Sequence, residues 1–232
     1  MIEEPPLLCV KRPTQRPGAA QIAAFQGVAT SFVVDAMYGA GAMSPVIQPL
    51  GAGSGPDHAV AGPALTVECG PADILALLGA LPSIQDGDVV VSSFHSHQGC
   101  AAAGDRVSAM MKNCGAAGFV TDGPMRDYAG LIEVGLPSWC TGLNPGSPFN
   151  KGPGRIGFPI QIGGQSVETG DIVVADRDGV VVVPFAQIDA VIEMLAKVAE
   201  LEGTLDAELQ AGLKIPQDVL DLMASDQVKY VD

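Results

Sequence analysis

The chain has 232 residues and a formal charge of −14 at pH 7, with 12 Lys and Arg against 26 Asp and Glu. Phosphate backbones are gripped by clustered Lys and Arg, so this balance excludes nucleic acid as a direct ligand and leaves a basic protein partner open. The 29 glycines, 18 prolines and single tryptophan fit a turn-rich α/β protein, and the length is enough to bury a substantial core.

Residues 1–18 read as an extended arm, because Pro5, Pro6, Pro13 and Pro17 deny a helix its hydrogen bonds. The acidic, proline-broken start lacks the pattern of a signal peptide. From Gly18 to Tyr38 the pattern is helical: Ile22, Phe25, Val28 and Ala29 share a face, followed by Val33, Val34 and Met37. Thr30 or Ser31 is placed to cap a second helix carrying Asp35. Residues 39–56 are loop-like. Val60–Glu68 reads as a strand, 72–81 as a short helix, and Asp86-Gly87-Asp88 as a turn into a buried strand at Val89–Ser93. A helix is expected over 101–113, stopped by Gly115, then a buried strand at Gly118–Thr121 and a turn at Asp122-Gly123-Pro124. Tyr128–Val134 is a helix closed by Gly135, and 137–141 a strand.

The later part is richer in strands. Residues 160–167 and 171–175 read as short strands, and GDIVVADRDGVVVVP as two strands joined through Arg177-Asp178-Gly179, since Asp-Gly between runs of valine is a strong hairpin signal. A long amphipathic helix over 185–213 carries an apolar stripe of Ile188, Val191, Ile192, Leu195 and Val198, followed by an acidic helical tail. The order fits one mixed α/β domain with sheets layered between helices: an arm at 1–18, a core at 19–184 and a helical segment at 185–232. The five cysteines (Cys9, Cys69, Cys100, Cys114, Cys140) are scattered without metal-ligand spacing, which fits reduced thiols in a cytoplasmic protein. No apolar run approaches the ~20 residues that span a bilayer.

The stretch GDRVSAMMKNCGAAGFVTDGPMRD, Gly104 to Asp127, carries the clearest chemical signal. A carboxylate, Asp105, opens a helix, and Arg126-Asp127 follows the next strand. Mg²⁺ takes one or two protein carboxylates and keeps its waters, and a guanidinium offers a planar fork to a carboxylate or keto oxygen. Spacing alone favours the plainer reading, a helix-start carboxylate and a surface ion pair. Gly99 to Gly104, GCAAAG, fits either amides presented to an anion or close helix packing. His95 and His97 stand two apart after a strand, as a metal or proton-transfer pair or as rim residues; His58 follows a glycine-rich loop and adds no further signal. Asp176-Arg177-Asp178-Gly179 lacks the further carboxylates of a calcium loop and is explained by the hairpin. Glu193, Glu200 and Glu202 fit a solvated helix face. Walker, GxGxxG, GxSxG and HExxH motifs are absent.

Gly104-Asp105, twenty residues, then Arg126-Asp127, set among AGPALTVE, GDVVV, GLP, GPGRIGFPIQIGG and ETGDIVVADRDGVVVVP, resembles the RraA-like family over most of the chain from Ala29 onward. It looks most like the 4-hydroxy-4-methyl-2-oxoglutarate / 4-carboxy-4-hydroxy-2-oxoadipate aldolases. The resemblance implies a layered α/β/β/α fold of the swivelling β/β/α kind and a class II retro-aldol reaction that releases pyruvate, with oxaloacetate decarboxylation as a side activity. It implies Asp127 as ligand to Mg²⁺ or Mn²⁺, Arg126 at the C2 keto oxygen, and amides around Gly104, Arg106 and Val107 at the pyruvate carboxylate. Asp105 would orient a water that serves as base. Glu202, with Glu200 as second choice, would enter a neighbouring subunit's site in a homotrimer or hexamer. The family also contains regulators that inhibit ribonuclease E; in those the first carboxylate is missing and the Arg is followed by Gln, whereas both carboxylates stand here. A decarboxylase or tautomerase of the same fold is a third reading. Relatives commonly carry Asp-Asn where this chain has Asp73-Ile74, which implies a more apolar pocket, and HSHQGC before the Gly-Asp also departs from the family.

Overall fold

The computed structural model describes residues 6–51 and 59–231. His58 and the 52–56 end of the expected loop lie outside the described residues, as does Pro5. In chain order the first half comprises β1 (Leu8–Val10), α1 (Ala19–Ala23), α2 (Thr30–Ala36), β2 (Gln48–Pro49), β3 (Val60–Glu68), α3 (Leu75–Ala80), β4 (Val89–Ser93), α4 (Asp105–Asn113), β5 (Gly118–Thr121), α5 (Tyr128–Val134) and β6 (Ser138–Cys140). The second half comprises β7 (Gly154–Ile156), β8 (Ile160–Ile162), β9 (Gln165–Val167), β10 (Ile172–Ala175), β11 (Val180–Val183), α6 (Ile188–Gln210) and α7 (Gln217–Met223).

β3 organises the molecule by serving two sheets. Its first half, residues 60–63, pairs antiparallel with β10, which pairs with β11. Its second half pairs parallel with β4, and β4, β5 and β6 continue the parallel set. Gly62 lies where the strand passes the 86–88 turn: a Cβ there would stand 2.1 Å from the Gly87 carbonyl oxygen.

Side-chain alternation along these strands builds four layers, α/β/β/α. Leu65, Val67, Val90 and Phe119 point one way, onto the α3, α4 and α5 layer. Ala64, Val89, Val91, Val120 and Trp139 point the other way and meet Val173, Ala175, Val180 and Val182 of the second sheet. That sheet's outward residues, Ile172, Val174, Val181 and Val183, bury Phe25 from the turn after α1, Val33 from α2, and Ile188, Val191 and Leu195 from α6. At about 25 cal/mol per Å² of apolar area removed from water, these layers dominate stability.

Several expectations are corrected by tertiary pairing. The arm includes β1, paired parallel with β7, and Arg16 bonds the buried Asp88 carboxylate at 2.5 Å. The helix expected over 101–113 starts at Asp105, because Ala103 is drawn into a parallel bridge with Met125. The helix expected over 72–81 likewise starts at Leu75, since Asp73 bridges Phe149. Residues 160–167 are a β8–β9 hairpin turned by Gly163 and Gly164, both at positive φ. The long helix begins with a 3₁₀ turn at Phe185–Gln187 and runs over Ile188–Gln210. All five cysteines are unpaired, and among the described residues no helix is long and apolar enough to cross a membrane.

Neither Thr30 nor Ser31 caps α2; its N-cap is Ala29, which has no side chain for the task. Asp176 does it from the β10–β11 turn, accepting from the Thr30 amide and hydroxyl at 2.8 Å each, and from the Asp178 amide at 2.8 Å. Its carbonyl also accepts the Trp139 indole N–H at 2.8 Å. Replacing a capping carboxylate costs about 1–2 kcal/mol. Asp176→Ala is therefore expected to lower the unfolding free energy measured in urea by that amount, to the same extent with and without Mg²⁺; a Mg²⁺-dependent loss would show a metal loop instead.

Candidate active site

The site forms beyond the C-terminal ends of the parallel strands, where α/β sheets place their ligands. After β4, β5 and β6 the chain segments stay paired: Ala103 bridges Met125, and Met125 bridges Leu143. The Arg126 amide donates to the Ala103 carbonyl at 3.0 Å, which sets Arg126 beside Gly104 at the start of α4. A Cβ on Gly104 would lie 2.5 Å from Asp127 Oδ2 and 3.2 Å from Arg126 Cγ, so only glycine lets the pair rest against the helix start.

Asp127 is the N-cap of α5 in the left-handed region, φ 63°, a conformation that Asp tolerates and most residues do not. Its carboxylate makes no capping bond to α5 and faces Arg126 instead, with Oδ2 3.4 Å from Nε. Arg126 Nη1 donates to Ser147 Oγ at 2.5 Å. Neither contact uses Nη2. Asp105 lies on the other flank: a Cβ on Gly130 would meet its Oδ2 at 2.5 Å, so this carboxylate packs on the first turn of α5. Asp105 Oδ1 also accepts the Arg106 amide at 2.6 Å.

Gly104, Asp105, Arg106, Val107, Arg126 and Asp127 thus line one cleft of about 420 Å³. Ile74, Ala103 and Pro148 complete its wall. Apart from the Arg106 amide held by Asp105, the first turn of α4 leaves its N–H groups without intrahelical backbone acceptors, which favours an anion there. Cys100, buried close by, has its thiol pKa raised by burial, with the Arg126 guanidinium pulling the other way.

Other sequence candidates fall elsewhere. The amides of Ala101 and Ala102 donate to Gly146 and Pro124 carbonyls, so the GCAAAG stretch is not a helix-start anion site; the offered amides begin at Asp105. His95 lines a second cavity, 3.8 Å from Glu68 Oε1. His97 packs edge-on against Phe94. Both belong to a loop held by Asp122, which accepts from the Phe94 and Ser96 amides. Glu200 and Glu202 lie on the distal part of α6, past the turns that bury Val191 and Leu195 on the second sheet, and neither lines this cleft within one chain. Ser147 and Pro148 were invisible to sequence reasoning because nothing in NPGSPFN signals proximity to Arg126.

Among the described residues no group of three or more His, Cys, Asp or Glu is placed to hold a metal ion. The donors at hand are hard carboxylate oxygens, and the Asp127 side chain is 46 % exposed. That suits a hydrated Mg²⁺ or Mn²⁺ held by one or two carboxylates, and does not suit a closed zinc site.

Fold and cleft together define an α/β/β/α protein with a carboxylate–guanidinium site at the strand ends. The profile of the RraA-like family, described as Aldolase/RraA, matches residues 30–182, and the chain belongs to that family. It is 35 % identical over 176 residues to a Halalkalibacterium halodurans protein named "Putative 4-hydroxy-4-methyl-2-oxoglutarate aldolase", covering 76 % of this chain and 82 % of that one. RraAS2 of Streptomyces coelicolor, described as an unusual member of the RNase ES inhibitor RraA protein family, superposes with a TM-score of 0.73 at 27 % identity, over 83 % of this chain and 100 % of that one. An uncharacterized protein from Pseudomonas syringae pv. tomato shares the fold with a TM-score of 0.75 at 24 % identity, covering 86 % and 96 %.

Gly104→Ala places a methyl group on the Asp127 carboxylate. It is expected to lower Mn²⁺ affinity at least about tenfold, read by electron paramagnetic resonance, while the melting temperature moves by no more than the ~4 °C that 1 kcal/mol gives in a domain of this size. Unchanged Mn²⁺ affinity would remove Asp127 from the candidate metal site.

Proposed function

We propose that the protein is a divalent-metal-dependent aldolase that cleaves a 4-hydroxy-2-keto di- or tricarboxylic acid to pyruvate and a second keto acid. The observation that carries the reading is the convergence of Asp105, Arg126 and Asp127 at the start of α4 in one cleft. The H. halodurans relative's name supports the reaction class.

In this reading the α4 start, at Val107, binds the C1 carboxylate, and the Arg106 guanidinium at the rim takes a distal carboxylate. Asp127 holds Mg²⁺ or Mn²⁺, with Asp105 beside it. The bound cation supplies Lewis-acid polarisation of the C2 carbonyl. Asp105, through a water, accepts the proton of the C4 hydroxyl. The C3–C4 bond breaks, C4 becomes a carbonyl, and its electron pair passes into the enolate of pyruvate. Arg126 stabilises the developing charge on the C2 oxygen, and protonation at C3 completes pyruvate. Oxaloacetate decarboxylation passes through the same enolate and follows as a side activity.

We take the working unit to be a cytoplasmic homotrimer or hexamer in which Glu202 (or Glu200) of a neighbouring subunit completes the site. Supporting this, Leu201, Leu205 and Leu209 on the same end of α6 are exposed in the single chain, as a helix awaiting cover would be. A second reading, inhibition of a ribonuclease E-type nuclease through a protein interface, is favoured by the similarity to RraAS2. It requires partner binding that survives both EDTA and Asp127→Ala. A decarboxylase or tautomerase acting on another small keto acid is separated by substrate profiling.

The direct assay is pyruvate release, coupled to lactate dehydrogenase, from a 4-hydroxy-4-methyl-2-oxoglutarate-type substrate. Activity is expected with Mg²⁺ and not with EDTA; no pyruvate or decarboxylation product from several 2-keto acids sinks the proposal. Arg126→Ala is expected to lower kcat about 10²–10³-fold, the effect of losing one charge-stabilising donor, with an unchanged circular dichroism spectrum. Loss of the fold would show Arg126 to be structural.

A further inference from the structure

We infer that Ile74 and Pro148 form an apolar subsite that reads the C4 substituent, so that a substrate with an alkyl group at C4 is preferred to one with a carboxylate-bearing arm there. The inference rests on the aldolase reading for the identity of the ligand.

A continuous path fixes where this wall lies. Arg126 Nη1 bonds Ser147 Oγ at 2.5 Å, Pro148 is the next residue, and the Phe149 carbonyl accepts the Ile74 amide at 2.9 Å. The wall is thus on the Ser147 side of the guanidinium, whereas the ion pair with Asp127 engages Nε. With the C2 oxygen at Arg126, the C4 substituent would face Ile74 and Pro148, which line the same cleft.

The wall is also rigid. Asp73, only 6 % exposed, accepts the Leu75 amide at 2.8 Å through Oδ1 and the Lys151 amide at 2.5 Å through Oδ2. The Phe149 amide donates back to the Ala72 carbonyl at 2.7 Å, and Ala72 sits at a positive φ of 60°. The buried carboxylate clamps the two loops on either side of Ile74. Proline fixes its own φ at Pro148. Such a wall cannot swing aside for a charged group or offer it a donor.

A count of cations agrees. Two cationic side chains line the cleft, Arg106 and Arg126, and the latter is engaged by Asp127 and Ser147. Lys151 gives its amide to Asp73 and does not line the cleft. With the C1 carboxylate at the α4 amides, one distal carboxylate at Arg106 and the cation of Asp127 given to the C2 carbonyl, a third carboxylate would lie against Ile74 and Pro148 without a partner. Burying an unpaired charge is costly, and an apolar pocket gains 10–200-fold from one methylene it can enclose.

The test compares kcat/KM for the C4-methyl substrate, 4-hydroxy-4-methyl-2-oxoglutarate, with that for the C4-carboxymethyl substrate, 4-carboxy-4-hydroxy-2-oxoadipate. The wild-type enzyme is expected to favour the methyl compound at least about tenfold. Ile74→Asn should bring the ratio to within about threefold, chiefly through KM, while Ile74→Val retains the preference and reports that the clamp is intact. A ratio near one in the wild type, or one that survives Ile74→Asn, overturns the inference. Calorimetry with uncleaved ligands separates this from a failure of the aldolase reading. If neither substrate releases pyruvate, 4-methyl-2-oxoglutarate and 4-carboxy-2-oxoadipate, which keep the two C4 arms but lack the C4 hydroxyl needed for cleavage, are titrated in Mg²⁺ buffer. Tighter 4-methyl-2-oxoglutarate binding whose advantage is lost in Ile74→Asn supports the subsite; equal binding, or none, overturns it.

Discussion

The close approach of the Asp127 carboxylate to Gly104, where a Cβ would stand 2.5 Å from Oδ2, is the constraint on which the cleft depends. It permits two crossover connections, one entering α4 and one entering α5, to approach until a guanidinium, two carboxylates and a helix start share a volume fit for a small acid. The bridges from Ala103 to Met125 and on to Leu143 hold that approach in register, as a continuation of the parallel sheet past its regular strands. The left-handed backbone at Asp127 is the local consequence: it turns the carboxylate away from the amides of α5 and towards Arg126. Strained φ values persist where surrounding structure over-determines them, and here the ladder of backbone bonds does so.

The strong negative charge gives Arg126 more importance than an arginine usually has. With 12 basic against 26 acidic side chains, an anionic ligand would meet an unfavourable long-range field and need a local positive patch. The α4 amides, Arg106 and Arg126 supply it in the cleft. Ser147 and Asp127 hold the guanidinium from two directions, so its orientation is set before any ligand arrives and less ordering remains to be done at binding.

Much of this architecture was legible from local pattern. β3, β4, β5 and α5 appear where their valine runs, glycine stops and turn residues put them, because they lie in the middle of the sheet or directly after it, where burial and propensity agree. Three of the errors share one cause. Asp73 and Ala103 belong to helical patterns but are captured by neighbouring backbones through Phe149 and Met125, and β1 exists only because β7 is there to pair with it. Pairing partners distant in sequence leave no periodicity to read. For the site, Asp105, Arg126 and Asp127 announced themselves by residue type, and family resemblance turned an ambiguous spacing into a specific expectation. Ser147 and Pro148 could not announce themselves: an ordinary loop carries them, and only the second bridge of the ladder, Met125 to Leu143, brings that loop to Arg126.

The three apolar clusters are complete without Asp105, Arg126 and Asp127, which belong to none of them. This separation explains physically how one family can include an aldolase name and a ribonuclease inhibitor name on the same scaffold. Fold alone does not choose between them. Changing the carboxylates and the guanidinium alters charge at a half-exposed edge and leaves the sheets undisturbed, so function can be gained or lost at that edge with little effect on folding. The 73–75 and 147–151 loops differ in this respect: a buried carboxylate ties them to the helical layer, and whatever they select is held by the same bonds that keep them folded.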